Sequence, residues 1–455
     1  MTAGGTKGGR ARDPYALQHG STDFHVEHYD LDLTYRVRTN RLAGVATLRI
    51  RALAPLTELR LDLVGLAVSK VGVVGAKLAR HEHRGGRLAL RLTAEVAAGT
   101  ILTVTVRYGG RPGPTPSLWG PVGWEELDDG VVVASQPTGA PTWFPCNDRP
   151  GDKATYRTTV NVENPYRVLA HGVLADRKLR SSSTTWVFDQ AHPTASYLAT
   201  VQIGRYDELT LAAAPVPQTA MLPAALVPLA RRSLAAHGAM MELFGRLFGP
   251  YPFPAYTVVV TADELEIPLE AQGLSIFGAN HLAPTRGEER LIPHELAHQW
   301  FGNSLSVASW QHLWLNEGFA CYAEWLWSQA SGGKSADALA RQWHTRLAAR
   351  PQDLVLADPG PALVFDDRVY KRGALTLHAL RGAFGDDAFF ALVRAWTAER
   401  ADASVTTADF RAHCARHATA VGGPALALAV AALLAAWLDS PRLPAPTSLP
   451  ARRGR

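Results

Sequence analysis

Cysteine is scarce: Cys146, Cys321 and Cys414 are the three in a chain of 455 residues. An odd and small number excludes a disulfide framework, so reduced thiols in a cytoplasmic setting are expected. No Lys/Arg block with interleaved aromatics occurs, and the net charge of +5 is mild. A basic solvated surface accounts for that charge, and nucleic acid is not an expected partner. The N-terminus, Met1-Thr2-Ala3-Gly4-Gly5-Thr6-Lys7-Gly8-Gly9-Arg10, lacks an apolar segment, so no secretory signal is visible. The longest apolar run, Ala425 to Leu438, is too short to span a bilayer and reads as a buried helix, so no membrane partner is expected. What is abundant is apolar residues, 47% of the chain, ample for large cores. The length suggests about two to four domains.

Alternation marks the first part of the chain. Tyr29, Leu31, Leu33, Tyr35 and Val37 alternate with polar residues. So do Ala46, Leu48 and Ile50, and Leu102, Val104, Val106 and Tyr108. A period of two predicts strands with one buried face, and Gly85-Gly86, Gly109-Gly110 and Pro112-Gly113-Pro114 punctuate them. An N-terminal antiparallel β-sheet domain is expected over 23–207, after a loose tail at 1–22. The pattern turns helical after Ala214-Pro215-Val216-Pro217. Met240, Phe244, Leu247 and Phe248 recur at helical spacing and stop at Gly249-Pro250. Thr257–Thr261 reads as a short strand. From Lys334 onward, alanine- and leucine-rich segments broken at Gly373, Gly385 and Gly422-Gly423 read as helices. A second domain is expected over 208–440, with a proline-rich basic tail at 441–455. The fold class is α+β.

The reactive pattern is His294-Glu295-Leu296-Ala297-His298. Histidines four apart share one helix face, so both imidazoles can grip one ion. Glu295 between them can reach a water on that ion, which is the zinc-protease pattern. Eighteen residues separate His298 from Glu317, in Trp314-Leu315-Asn316-Glu317-Gly318. That gap lets one helix end near Gly302 and a second present Glu317 to the same ion. Two histidines and one glutamate leave a position open for water, the catalytic form of a zinc site. His294, His298 and Glu317 are therefore the expected ligands of one Zn2+, and Glu295 the expected general base. Glu324, two helical turns after Glu317, suits equally a partner of a ligand or a surface acid. His413-Cys414-Ala415-Arg416-His417 repeats the spacing without a supporting acid and reads as a solvated helix face.

These segments, extended to His294-Glu295-Leu296-Ala297-His298-Gln299-Trp300-Phe301-Gly302-Asn303, Trp310 and Trp314 to Ala320, resemble the M1 family of zinc aminopeptidases. That family is one of gluzincins with a thermolysin-like catalytic domain. Gly249-Pro250-Tyr251-Pro252-Phe253-Pro254 resembles its approach to that domain. Trp143-Phe144-Pro145-Cys146-Asn147-Asp148, with Asp152-Lys153-Ala154, resembles its β-domain. Val369-Tyr370-Lys371-Arg372-Gly373 is similar to its Tyr-x-Lys-Gly segment.

The resemblance implies a thermolysin-like zinc peptidase domain with C-terminal helices, a cleft between the domains, and peptide substrates with a free N-terminus. It implies that Tyr370 donates to the oxyanion. It also implies that Glu270, in Ile267-Pro268-Leu269-Glu270-Ala271-Gln272, binds the substrate α-amine. The family carries Gly-Ala/Gly-Met-Glu-Asn there, with Leu269 replacing methionine beside the substrate. Pro268 has no N–H to offer, which shifts oxyanion load toward Tyr370. Gln136 resembles a glutamine that reaches from the β-domain to the first substrate residue; a plain loop glutamine is the alternative. The chain ends about where the shortest M1-like enzymes would, which implies an open cleft that admits longer peptides. Three rivals stand beside an aminopeptidase: a thermolysin-like endopeptidase, an epoxide hydrolase of leukotriene-hydrolase type, and a non-catalytic peptide-binding module.

Overall fold

The alternating segments zip together. Phe24–Arg36, Arg41–Ala52 and Ile101–Gly110 lie side by side, with Tyr29 opposite Leu48 and Leu48 opposite Val104. The period-two residues thereby face one core. The computed structural model describes residues 13–282 and 290–445. In spatial order the large sheet runs Val173–Leu179, Ser183–Ala195, Lys153–Glu163, Phe24–Arg36, Arg41–Ala52, Ile101–Gly110, Ala67–Val74. It is mixed rather than wholly antiparallel, because Phe24–Arg36 pairs parallel with Lys153–Glu163, Leu33 opposite Val160. Their long separation in sequence permits this, since a parallel pair needs a crossover and not a hairpin. Leu59, Leu61, Leu88 and Leu90, from a three-stranded sheet, are fully buried in the same core. Strand Gly130–Ala134 of a second sheet delivers the chain directly to Gln136.

Asp207–Ala212 already lies in another sheet. Its spatial order is Asp207–Ala212, Gln218–Leu222, Tyr256–Val260, Leu274–Phe277, Leu269–Ala271. The three middle strands run parallel and are buried, while Leu269–Ala271 is an antiparallel edge. Eight helices follow or interleave with it among the described residues: α1 (Val227–Ser233), α2 (His237–Phe248), α3 (Leu291–His298), α4 (Trp314–Ala330), α5 (Ala336–Ala348), α6 (Asp367–Phe384), α7 (Asp386–Glu399) and α8 (Thr407–Leu438). Gly423 breaks α8 with a φ of 69°, a left-handed conformation, and Pro424 follows it. By length and hydropathy α8 could cross a membrane. The apolar run within it is only in part the buried helix expected. Val430, Leu434, Trp437 and Leu438 face the core, but Leu428 is 73% exposed.

Two segments expected as tails are held where the structure describes them. Asp13 accepts from the Trp310 amide at 2.8 Å, and Ala16 is buried in the helical core. The Gly20 amide donates to Asp62 at 2.7 Å and the Ser21 amide to Asn147 at 2.7 Å. Residues 13–22 thus strap the two parts together. Near the other end, the Arg372 guanidinium donates to the carbonyls of Trp437 and Pro441, both at 2.9 Å. His344 Nε2 donates to the Pro444 carbonyl at 2.7 Å. The remaining tail positions, 1–12 and 446–455, lie outside the described residues.

Buried neutral histidines tie this fold to pH. The Thr200 amide donates to His171 Nδ1 at 3.1 Å, and His237 Nδ1 bonds Gln218 Oε1 at 2.9 Å. Burial pushes each imidazole down to about 4. An unfolded chain takes up these protons near pH 6.5, so stability falls as pH drops from about 6.5 to 4. The urea midpoint should therefore fall between pH 6.5 and 4.5. The double variant His171→Asn, His237→Asn should show a shallower fall, and an unchanged slope would contradict this origin.

Candidate active site

Two neighbouring helices and one glycine contact build the site. Pro293 suits the first turn of α3, where its missing N–H has no intrahelical partner to lose. Leu296 and Ala297 pack into the core. The chain then turns at Gly302, whose φ of 130° favours glycine. The Trp314 indole donates to Thr407 Oγ1 at 3.0 Å and anchors the start of α4. Glu317 sits in the first turn of α4, where a helix favours negative charge. At the α4–α6 crossing, a Cβ on Gly318 would stand 2.9 Å from Gly373 Cα. Only two glycines allow that approach, and it sets Tyr370 beside the metal residues. The Tyr370 ring lies 6.3 Å from the His294 ring, nearly parallel at 14°.

One ligand atom from each of His294, His298 and Glu317 lies within 4.8 Å of the other two, and all three residues are buried. His294 Nδ1 bonds Glu324 Oε1 at 2.8 Å, and His298 Nδ1 bonds the Phe301 carbonyl at 3.0 Å. Both partners can only accept, so both Nδ1 atoms carry hydrogen, and in the neutral imidazoles both Nε2 atoms are left as lone pairs. Those Nε2 atoms stand 3.3 and 3.4 Å from one oxygen of Glu317. Three acceptors converging in a buried place fit a cation between them. With no metal in place, the same acceptors draw protons instead. Burial opposes charge on His294, yet Glu317 and Glu324 raise it to about 9. Burial raises Glu317, but His298 and His294 outweigh it and hold the carboxyl at about 2. Two nitrogens and one carboxylate oxygen are a zinc donor set.

The other expected residues gather around this cluster. Glu295 is buried, and its Oε2 has no protein partner. Burial, helped by Glu270 and Glu317, raises its carboxyl to about 7 against the pull of both histidines. Ligand atoms of Glu270, Glu295 and His298 also lie within 4.8 Å of one another. Gln136 Nε2 donates to Glu270 Oε1 at 2.7 Å, so Gln136 does reach from the β-domain into the site. Leu269 precedes Glu270 on the edge strand and is half-buried. Burial and the surrounding carboxylates push the Tyr370 hydroxyl far above its ordinary range, so it keeps its proton and can donate. The bond to His294 Nδ1 decides between the two readings of Glu324 in favour of the ligand partner.

His413 corrects one expectation. It is buried, not solvated, with Nε2 donating to the Leu392 carbonyl at 2.9 Å. His417 Nε2 donates to the Ala388 carbonyl at 2.9 Å. Neither joins a metal cluster among the described residues. Sequence reading missed the pins that hold the Glu270 strand. Gln299 and Asn303 donate to the Ala271 carbonyl at 3.1 and 2.9 Å. The sequence signal was their place just after the second histidine, one face of the chain turning back on that strand.

Known proteins share this fold. The model of the peptidase family M1 domain matches residues 233–437, and that of the peptidase M1 N-terminal domain matches residues 25–198. The chain belongs to peptidase family M1. An M1 zinc metallopeptidase from Deinococcus radiodurans is similar in structure, with a TM-score of 0.84 and 29% identity, over 95% of this chain and 98% of that one. Mouse aminopeptidase B is 28% identical over 85% of this chain and 65% of its own length. A leucyl aminopeptidase of Saccharolobus solfataricus is 24% identical over 57% of this chain, and the match spans only 36% of that protein. The metal of family M1 is zinc, and the donor set of His294, His298 and Glu317 fits it. Removing the Nδ1 partner of His294 should loosen that metal. Glu324→Ala should weaken zinc binding by about ten- to a hundredfold. Equilibrium competition against a chelator measures it, and unaltered affinity would remove Glu324 from the site.

Proposed function

We propose that this M1 peptidase is a zinc aminopeptidase that removes single residues from the N-termini of peptides. The observation that carries the reading is Glu270, a carboxylate held by Gln136 at 2.7 Å and set beside Glu295 and His298. A fixed carboxylate there can bind a substrate ammonium one residue from the metal, so cleavage is measured from the amino end. Burial raises the Glu270 carboxyl, so the negative charge is costly until a cation arrives. An endopeptidase has no use for such a group. Supporting the same reading, a mutant of the Deinococcus enzyme was solved bound to a Tyr-Ser-Ala substrate, and the relatives above are named aminopeptidases.

His294, His298 and Glu317 would hold the zinc, which when bound acidifies water and polarises a carbonyl. Glu295, with its free Oε2, takes the proton from the attacking water and passes it to the leaving amine. Tyr370 donates its hydroxyl hydrogen to the oxygen that gains charge as the carbonyl is attacked. Gln136 and Glu270 orient the α-amine, and Leu269 flanks the first side chain. Three buried free thiols suit a reducing, cytoplasmic compartment.

A panel of aminoacyl-anilides and N-acetylated peptides tests the assignment. Glu295→Gln should retain stoichiometric zinc and lose about a hundred- to ten-thousandfold in kcat. Glu270→Ala should raise KM for free amino termini far more than it changes zinc content. Cleavage of acetylated peptides at rates equal to free ones would replace the aminopeptidase reading with an endopeptidase.

A further inference from the structure

A cavity of about 380 Å³ lies between the β-domain and the far side of the catalytic sheet. None of the proposed metal, catalytic or amine-binding residues lines it. The β-domain contributes Leu169, Leu174 and Phe188, with Leu174 directly opposite Phe188 across a strand pair. The catalytic domain contributes Met221, Phe253 and Leu274. Its size falls in the range of small-ligand sites, and such sites favour domain junctions.

Its polar groups are few and unevenly charged. Among the acids and bases around it, Asp189 is taken by Arg157 at 2.8 Å, Glu208 faces Arg167 at 4.0 Å, and His192 is 3.2 Å from Asp402. Arg177 is left over. Its guanidinium lies 4.5 Å over the Trp186 ring and makes no ion pair or side-chain hydrogen bond among the described residues. Gln190 is 5% exposed and lines the same cavity. Its Oε1 accepts from the His192 amide at 3.0 Å, while its Nε2 has no protein partner. The cavity thus offers an apolar body, one uncompensated cation stacked on an indole, and one unused amide donor. Both free groups donate, and neither accepts.

We propose that this cavity binds a carboxylate carried on an aliphatic or aromatic body, with Arg177 receiving the carboxylate and the six apolar side chains enclosing the rest. A planar guanidinium pre-set by stacking suits a carboxylate better than a point charge does. A free carboxylic acid and the C-terminal residue of a peptide share this chemistry.

Octanoate and N-acetyl-leucyl-leucine serve as probes for the two sources, each paired with its neutral counterpart, octanol or the C-terminal amide. Calorimetric titration of the zinc-loaded protein is run with the metal site blocked by leucine hydroxamate. At least one acid should bind saturably and exceed its neutral counterpart by about tenfold or more. Tighter octanoate assigns the site to free acids, and tighter peptide assigns it to chain termini. Arg177→Met should erase the preference for the acid, and Arg177 lies on the surface, so this variant should fold. Leu174→Trp, which fills the cavity, should weaken acid and neutral probe together. Saturable binding of neither acid, equal binding of acid and neutral probes, or a preference that survives Arg177→Met would overturn the proposal.

Discussion

Three lone pairs pointed at one buried place constrain the rest of this structure. His294 Nε2, His298 Nε2 and a Glu317 oxygen repel one another unless a cation joins them. The fold keeps them together by securing what stands behind each. Glu324 and the Phe301 carbonyl fix the two imidazoles through Nδ1. The turn after α3 is in turn gripped by the β-domain. Lys153 Nζ donates to the Asn303 and Ser304 carbonyls at 2.9 and 2.8 Å, and the Tyr197 hydroxyl to the Gly302 carbonyl at 3.0 Å. The β-domain therefore supports the metal residues from behind as well as supplying Gln136 to the site.

That support explains which features could be read from sequence. The metal residues were legible because helix periodicity converts spacing into shared facing: four residues for the histidines, one intervening helix start for Glu317. Strands in the β-domain were legible for the same reason, with a period of two. The parallel pairing of Phe24–Arg36 with Lys153–Glu163 was not, since alternation marks a buried face and carries no information on direction. The strap at residues 13–22 was hidden because its bonds run to Asp62, Asn147 and Trp310, far away in sequence. Its polar composition reads as a tail when those partners are unseen. His413 misled for a related reason: a histidine on a helix looks solvated until the carbonyl that accepts from it is known.

Gln136 shows the limit from the other side. Its sequence context left a loop glutamine and a substrate contact equally open. The 2.7 Å bond to Glu270 joins residues 134 positions apart, which only the packed domains could bring together. Likewise the place of Tyr370 depends on Gly318 meeting Gly373 across α4 and α6. Each glycine looks unremarkable alone, because its role is defined by the other.

Charge ties these pieces to the choice of substrate. Glu270, Glu295, Glu317 and Glu324 bring four carboxylates into or against one buried cluster. Lys371 offsets part of this. It is buried, 3.9 Å from Glu324 Oε1 and 4.8 Å from the centre of the Trp343 ring. Arg290 also faces Glu324, but it is 61% exposed and its effect is screened by water. Zinc and Lys371 together carry three positive charges against four negative ones when every acid is ionised. The proposed function places the remaining negative charge at Glu270, where a substrate ammonium would bring the one positive charge that balances it. A blocked N-terminus brings none, so it would leave Glu270 desolvated and unpaired. On the proposed aminopeptidase reading, selection for a free amine follows from the charge balance of the whole cluster, with Glu270 as the place where that balance is completed.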